Sequence, residues 1–278
     1  MKINWFPGHM HKATKALIEL SQKTDIVFEI VDARAPFSSS NINLSSIFTH
    51  KPIIKILTKK DLADVNKTNI WLKYFPSSIC INTLSEKGLQ NKIRKLALNQ
   101  LPHRGTILKP IRAVIIGIPN VGKSTFINKL VEKKITKTGD TPAVTKNIQT
   151  IKIDKSFIVY DSPGIMLKNT QDEETGMKLS AISCIKDTAF KYHDVAAFIL
   201  QYLSEHYPKA LKNRYGVAEI NSHVVNTIFI KILGLKKVAE LSDFEITKAS
   251  QRVVQDYRKG LLGRITLEKP EDYTQPLE

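Results

Sequence analysis

The chain has 278 residues, 42% of them hydrophobic and 24% charged, the mix of an ordinary globular protein and not of a disordered, collagen-like or coiled-coil one. Its 42 Lys and Arg against 26 Asp and Glu give a formal net charge of +16, which favours polyanionic partners, nucleic acid above all. The excess is uneven: residues 1–177 carry 27 basic and 14 acidic side chains, residues 178–278 only 15 and 12.

Along the chain, short Ile- and Val-rich runs at 26–31, 52–57, 79–81, 111–116, 148–153 and 157–160 read as buried strands. Helical spacing fits residues 11–23, 61–73, 88–98 and 123–133 between them. Strands alternating with helices imply an α/β fold, a mostly parallel sheet with helices on both faces. Beyond about residue 175 the pattern turns helical, at 174–192, 195–207, 221–233 and 242–258. Pro208 and Gly216 read there as turn punctuation, and 269–278, with Pro270 and Pro276, as a loose tail. The expected organisation is therefore a first domain over 1–175 and a small all-α domain over 176–278. Cys80 and Cys184 form no metal spacing or disulfide framework, which suits a reducing compartment. No apolar run reaches the about 18 residues of a membrane span. The first residues read neither as a signal peptide nor as a transit peptide, so the expected location is the cytoplasm.

Gly117-Ile118-Pro119-Asn120-Val121-Gly122-Lys123-Ser124 matches G-x-x-x-x-G-K-[ST] between a strand and a helix, the context in which that pattern forms a phosphate loop. The loop backbone from Asn120 through Gly122 to Thr125 is expected to cradle phosphate, Lys123 to reach the β and γ phosphates, and Ser124 to hold Mg²⁺. Asp161-Ser162-Pro163-Gly164 follows the 157–160 strand. Its carboxylate suits a Mg²⁺-linked aspartate, and Gly164 suits a backbone N–H that senses the γ-phosphate. Between the two, Thr145 is a loop hydroxyl placed to join the same Mg²⁺.

The base is read upstream. Thr58-Lys59-Lys60-Asp61 resembles the guanine motif [NT]KxD. A carboxylate at Asp61 can accept from N1–H and N2–H of guanine, which adenine cannot supply, while the Lys59 stem packs along the base. Thr58 replaces the commoner Asn, with the expected loss of one side-chain amide tether. The loop with Asn82 and Thr83 resembles, in degenerate form, the one that meets guanine O6 through backbone N–H.

Common GTPases run phosphate loop, switch threonine, DxxG, [NT]KxD and base loop. Here the last two come first, a circular permutation. With Asn4-Trp5-Phe6-Pro7-Gly8-His9-Met10, Asp32-Ala33-Arg34-Ala35-Pro36 and the stretch from Asp256 to Glu268, nearly the whole chain resembles the ribosome biogenesis GTPase A family. The resemblance implies a permuted P-loop G domain and a C-terminal helical domain that contacts ribosomal RNA. It implies GTP hydrolysis on the assembling large ribosomal subunit, with Mg²⁺ and GTP or GDP bound; a monomer is favoured. Where many GTPases place a water-orienting Gln, this chain has Ile165. The resemblance gives that task to His9, and imidazole suits it because its ordinary pKa lies near working pH. Asn120 matches the position that helps hold K⁺ in potassium-stimulated GTPases. Arg252, Arg258, Lys259 and Arg264 are the basic residues near the last helix that suit RNA phosphate. Two rivals stand beside this reading: a non-catalytic, nucleotide-gated RNA-binding module, and a P-loop kinase.

Overall fold

A computed structural model describes residues 7–41, 43–132, 148–164, 172–217, 224–237 and 241–273; for residues 7–13 it describes the helical backbone alone. Among the described residues the chain alternates α1 (Pro7–Lys23), β1 (Ile26–Asp32), α2 (Leu44–Ile47), β2 (Ile53–Thr58), α3 (Val65–Tyr74), β3 (Ser78–Cys80), α4 (Leu89–Gln100), β4 (Ile111–Ile116), α5 (Lys123–Val131), β5 (Gln149–Asp154) and β6 (Phe157–Asp161). Helices α6 (Glu173–Ala181), α7 (Tyr192–His206), α8 (Pro208–Tyr215), α9 (Val224–Leu233) and α10 (Asp243–Arg258) follow. None of the described helices is long and apolar enough to cross a membrane.

The strands form one sheet in the order β3-β2-β1-β4-β6-β5, parallel throughout except where β5 pairs antiparallel with β6. β1 is central, and all seven of its residues are buried. Its alternate side chains feed opposite faces, as a strand's period of two requires. Ile26, Phe28 and Ile30 enter the large core, Val27 meets Leu17 and Leu20 of α1, and Val31 packs in the cluster of Trp71. The edge strand β5 has Ile151 as its buried residue, between exposed neighbours. The α/β architecture with a mostly parallel sheet is as the sequence implies.

The large core does not stop at the sheet. It continues through Met177, Leu179, Ile199, Leu203, Phe229, Val253 and Tyr257 into the helical half, where α7 and α10 pack on each other. Two helical stretches there, and one between β2 and β3, depart from expectation. The 174–192 run breaks at Ser183, whose φ is +68°. Residues 208–215 form α8, because Pro208 sits at its first turn, where a missing N–H costs nothing, and Gly216 closes it at φ +65°. α3 starts at Val65, four residues later than expected, because the Asp64 side chain accepts from Lys67 N–H as its N-cap. The tail is ordered to Tyr273: Pro270 is buried and the Tyr273 ring stacks on Phe37 at 3.5 Å.

Candidate nucleotide site

In a mostly parallel sheet the loops leaving the strand C-termini share one edge, which is where ligands bind. Here the exits of β1, β2, β4 and β6 meet at that edge. The β4 exit needs Gly117, since a Cβ there would lie 2.5 Å from Ile30 O. Asn120 and Gly122 turn the chain at φ +63° and +98°, and α5 opens at Lys123 with Ser124 and Thr125 in its first turn. An anion-ready helix N-terminus results.

Lys123 is buried and donates to Gly117 O (3.0 Å) and Ile118 O (3.2 Å). Burial lowers its pKa to about 8, against the pull of Asp161. Asp161, at the end of β6, is also buried, and among the described residues neither carboxylate oxygen has a hydrogen-bond partner. Burial raises its pKa to about 6, with Lys123 pulling the other way. A buried carboxylate with nothing to satisfy it costs free energy, so such groups usually serve a ligand. Gly164 closes over the same place: a Cβ there would lie 3.1 Å from Lys123 Nζ and 3.2 Å from Pro119 Cα.

The β2 exit is built directly onto this loop. The buried Thr58 hydroxyl bonds Val121 O at 2.6 Å and Val31 O at 3.0 Å. Thr58 has no amide, and it ties the β2 exit to the phosphate-loop backbone through its hydroxyl instead. Lys59, at φ +57°, donates to Asn120 O at 3.1 Å and pairs with Asp32 at 2.9 Å. Asp61 is exposed on the turn closed by Leu62 N to Lys59 O. In the β3 exit, Asn82 Oδ1 takes the Leu84 amide at 3.1 Å, and Asn82 O takes those of Ser85 and Glu86. Among the described residues the buried Thr83 hydroxyl has no hydrogen-bond partner. The structure thus gathers Thr58, Lys59, Asn120, Val121, Gly122, Lys123, Asp161 and Gly164 at one edge. His9 is part of α1, but its side chain lies outside the described residues, as do Thr145 and Ile165.

Sequence reasoning missed what surrounds these residues. Arg34 makes a two-point contact with Asp32, at 3.0 and 2.8 Å. Burial alone would raise the Asp32 pKa, but Arg34 and Lys59 hold it far below the usual carboxylate range. A carboxylate ending the apolar run Ile26–Asp32, with arginine two residues on, was the available signal. Four successive carbonyls at the end of α6 are also taken from outside it. Ser180 O and Ala181 O accept from Arg258, Ile182 O from Arg34, and Ser183 O from Asn120 Nδ2 at 2.7 Å. Arg258 also pairs with Asp187, so this member of the basic set is committed inside the molecule.

Chain order is what sets this site apart: the loop at residues 58–61 precedes the phosphate loop it touches. The class is the circularly permuted P-loop nucleotide-binding domain. A family profile described as "50S ribosome-binding GTPase" matches residues 112–233, starting in β4 and leaving the upstream loop at 58–61 outside it, in agreement with a permuted order. Ribosome biogenesis GTPase A of Bacillus cereus is 38% identical over 290 residues, covering 100% of this chain and 97% of that protein. Its counterpart in Bacillus licheniformis is 39% identical, covering 98% and 100%. Among solved structures, GNP-bound YlqF from T. maritima matches with a TM-score of 0.63 at 27% identity, over 94% of this chain and 99% of that one. The chain belongs to the ribosome biogenesis GTPase A family, and it is a GTPase. That sets aside both the non-catalytic module and the kinase.

Proposed function

We propose that this GTPase is a cytoplasmic assembly factor for the large ribosomal subunit, holding ribosomal RNA or pre-subunit in a nucleotide-dependent way. The observation that carries the proposal is the Asn120–Ser183 hydrogen bond, which couples the phosphate loop directly to the helical half. A rearrangement of that loop between GTP and GDP has a route into α6 and, through Arg258, into α10. The names of the relatives support the ribosomal partner. So does a groove of about 650 Å³ between α8, α9 and α10, rimmed by Lys231 and Lys248 and by Arg214 and Arg252, both of which pair with the buried Asp256. Basic rims of this kind suit phosphate contacts. The test is co-sedimentation with large subunits. Retention with a non-hydrolysable GTP analogue and release with GDP is expected; equal behaviour in both rejects the gating, and no association rejects the partner.

Within the site, Asp61 reads guanine, with Lys59, Asn82 and Thr83 around the base. Asn120, Val121, Gly122, Lys123, Ser124, Thr125 and Gly164 surround the phosphates. Among the described residues no cluster of three His, Cys, Asp or Glu makes an all-protein metal cage. Mg²⁺ does not need one, since it binds through one or two carboxylates plus substrate phosphates. The unpartnered Asp161 fits that role, with Ser124 and Thr145 as further ligands. Bound there, Mg²⁺ supplies charge neutralisation to the β and γ oxygens. His9 orients the attacking water in place of the missing Gln. His9→Ala is expected to keep GTP affinity and lose about 10²–10⁴-fold in subunit-stimulated turnover; turnover within a few-fold of the unmutated protein removes that role. A K⁺ ion beside Asn120 is the remaining element, checked by comparing turnover in K⁺ and Na⁺.

A further inference from the structure

After α10 the chain turns at Gly260 (φ +72°) and Gly263 (φ +93°) and runs back to the ligand edge of the sheet. Ile265, Thr266, Leu267 and Glu268 are all buried, each exposed by 2% or less. They lie between the β1 exit loop and the β2 exit loop and bond to both. Ile265 N–H donates to Leu62 O at 3.0 Å and Leu267 N–H to Arg34 O at 2.8 Å. The Thr266 hydroxyl accepts from Asp64 N–H at 3.1 Å and donates to Ala33 O at 3.2 Å. Thr266 O in turn accepts from Tyr202 and Lys67, and the Glu268 carboxylate takes the Ser38 amide and hydroxyl.

The bonds at Leu62 O and Asp64 N–H fall one and three residues beyond Asp61. Among the described residues no protein hydrogen bond holds the Asp61 carboxylate itself, so its aim is set by the backbone on either side. The phosphate loop, by contrast, takes no hydrogen bond from 265–268 among the described residues.

We propose that Thr266, backed by Ile265, is a positioning residue for guanine selectivity. The far end of the chain clamps residues 62–64 so that Asp61 presents both oxygens to the base. The proposal rests on Asp61 as the guanine acceptor. It adds that a segment about 200 residues away, on the far side of the helical half, sets that acceptor's direction.

The chemistry supplies a selective readout. Guanine offers N1–H and N2–H to a carboxylate; hypoxanthine keeps N1–H and lacks the amino group. A well-aimed Asp61 therefore prefers GDP to IDP, while a loosened one keeps the single bond and loses the second. A merely structural fault would weaken both nucleotides together.

The experiment titrates the full chain with GDP and IDP. Thr266→Val removes the hydroxyl at nearly constant volume. It is expected to lower the GDP-over-IDP preference about fivefold, the scale of one neutral hydrogen bond, with IDP affinity held within about twofold on the same reasoning. Thr266→Ser restores the hydroxyl and the unmutated ratio. An unchanged ratio in Thr266→Val, or equal losses for GDP and IDP, overturns the proposal. Asp61→Asn, titrated alongside, separates the two failures. If it leaves GDP binding intact, the guanine assignment itself is wrong; if it abolishes the preference while Thr266→Val does not, only the clamp is wrong. Should Thr266→Val not fold, hydrogen exchange on the unmutated protein decides. The Asp64 and Ile265 amides are expected to slow with GDP and not with pyrophosphate, and no slowing with GDP contradicts the clamp.

Discussion

The phosphate loop and the guanine loop touch through Thr58 and Lys59, yet they are held by different means. The phosphate loop carries the residues that shape it in its own motif, even where they meet distant partners such as Ile30, Thr58 and Ser183. Gly117 permits the approach to Ile30, Gly122 makes the left-handed turn, and Lys123 bonds back to Gly117 and Ile118. The guanine loop is shaped from far away, by Asp32 and Arg34 on one side and by Ile265 and Thr266 on the other. A locally determined loop announces itself in sequence as a motif. One held by distant segments shows only its ligand-facing residues.

Four perturbations press on this difference. Arg34→Ala is the most damaging, because it leaves the buried Asp32 with Lys59 as its one cationic partner among the described residues. Breaking a buried pair by removing one partner costs about 3–5 kcal/mol, and the lower end is expected here because Lys59 remains; urea unfolding measures it. Lys123→Ala acts on binding instead, removing a charge-assisted contact worth about 2–3 kcal/mol of triphosphate affinity. Its unfolding midpoint should stay close to that of the unmutated protein, because a lysine whose pKa burial lowers to about 8 does not favour the fold. Thr58→Val strikes the seam between the loops. Losing a hydroxyl that serves Val31 O and Val121 O should cost about 1 kcal/mol of stability and weaken nucleotide binding a few-fold, read by melting and by titration. The smallest effect concerns the two cysteines. Burial pushes the Cys80 and Cys184 thiols up to about 12. The thiolate fraction at pH 8.5 is then far below that of a free thiol, and it grows only as pH climbs toward 12. Alkylation at pH 8.5 should be slow in the folded protein and rapid in urea; rapid labelling of the folded chain would show that these sites open.

Much of the fold was legible. All six strands lie within about two residues of their Ile- and Val-rich runs: β1 and β4 because a central parallel sheet buries both faces and leaves unbroken apolar stretches, the antiparallel edge strand β5 through alternation around Ile151. The motif at 117–124 shows in the sequence because its shaping residues are its own; those at 58–61 and 161–164 show only through their ligand-facing residues. The break after α6 was not legible, since it is stabilised by Arg34, Asn120 and Arg258 reaching in from three distant segments. Nor was the return of 265–268: Ile265-Thr266-Leu267-Glu268 shows no pairing partner in the sequence. The four-residue α2 is too short for any periodicity to reveal. Thr58 shows in the sequence as a motif position, but its hydroxyl's bond to Val121 O does not, because that distance exists only in three dimensions.

The central claim is that one nucleotide site is assembled from two halves of the chain in reversed order, with residue 61 choosing the base for a phosphate loop at 117–124. Titration of Asp61→Asn with GDP and with xanthosine diphosphate tests it most directly. An amide at that position inverts the donor–acceptor pattern, so GDP affinity should fall by about 2–4 kcal/mol, the scale of leaving buried polar groups unpaired. Xanthosine diphosphate should become the tighter ligand, with the phosphate loop untouched. GDP binding as tight as that of the unmutated protein would contradict the account.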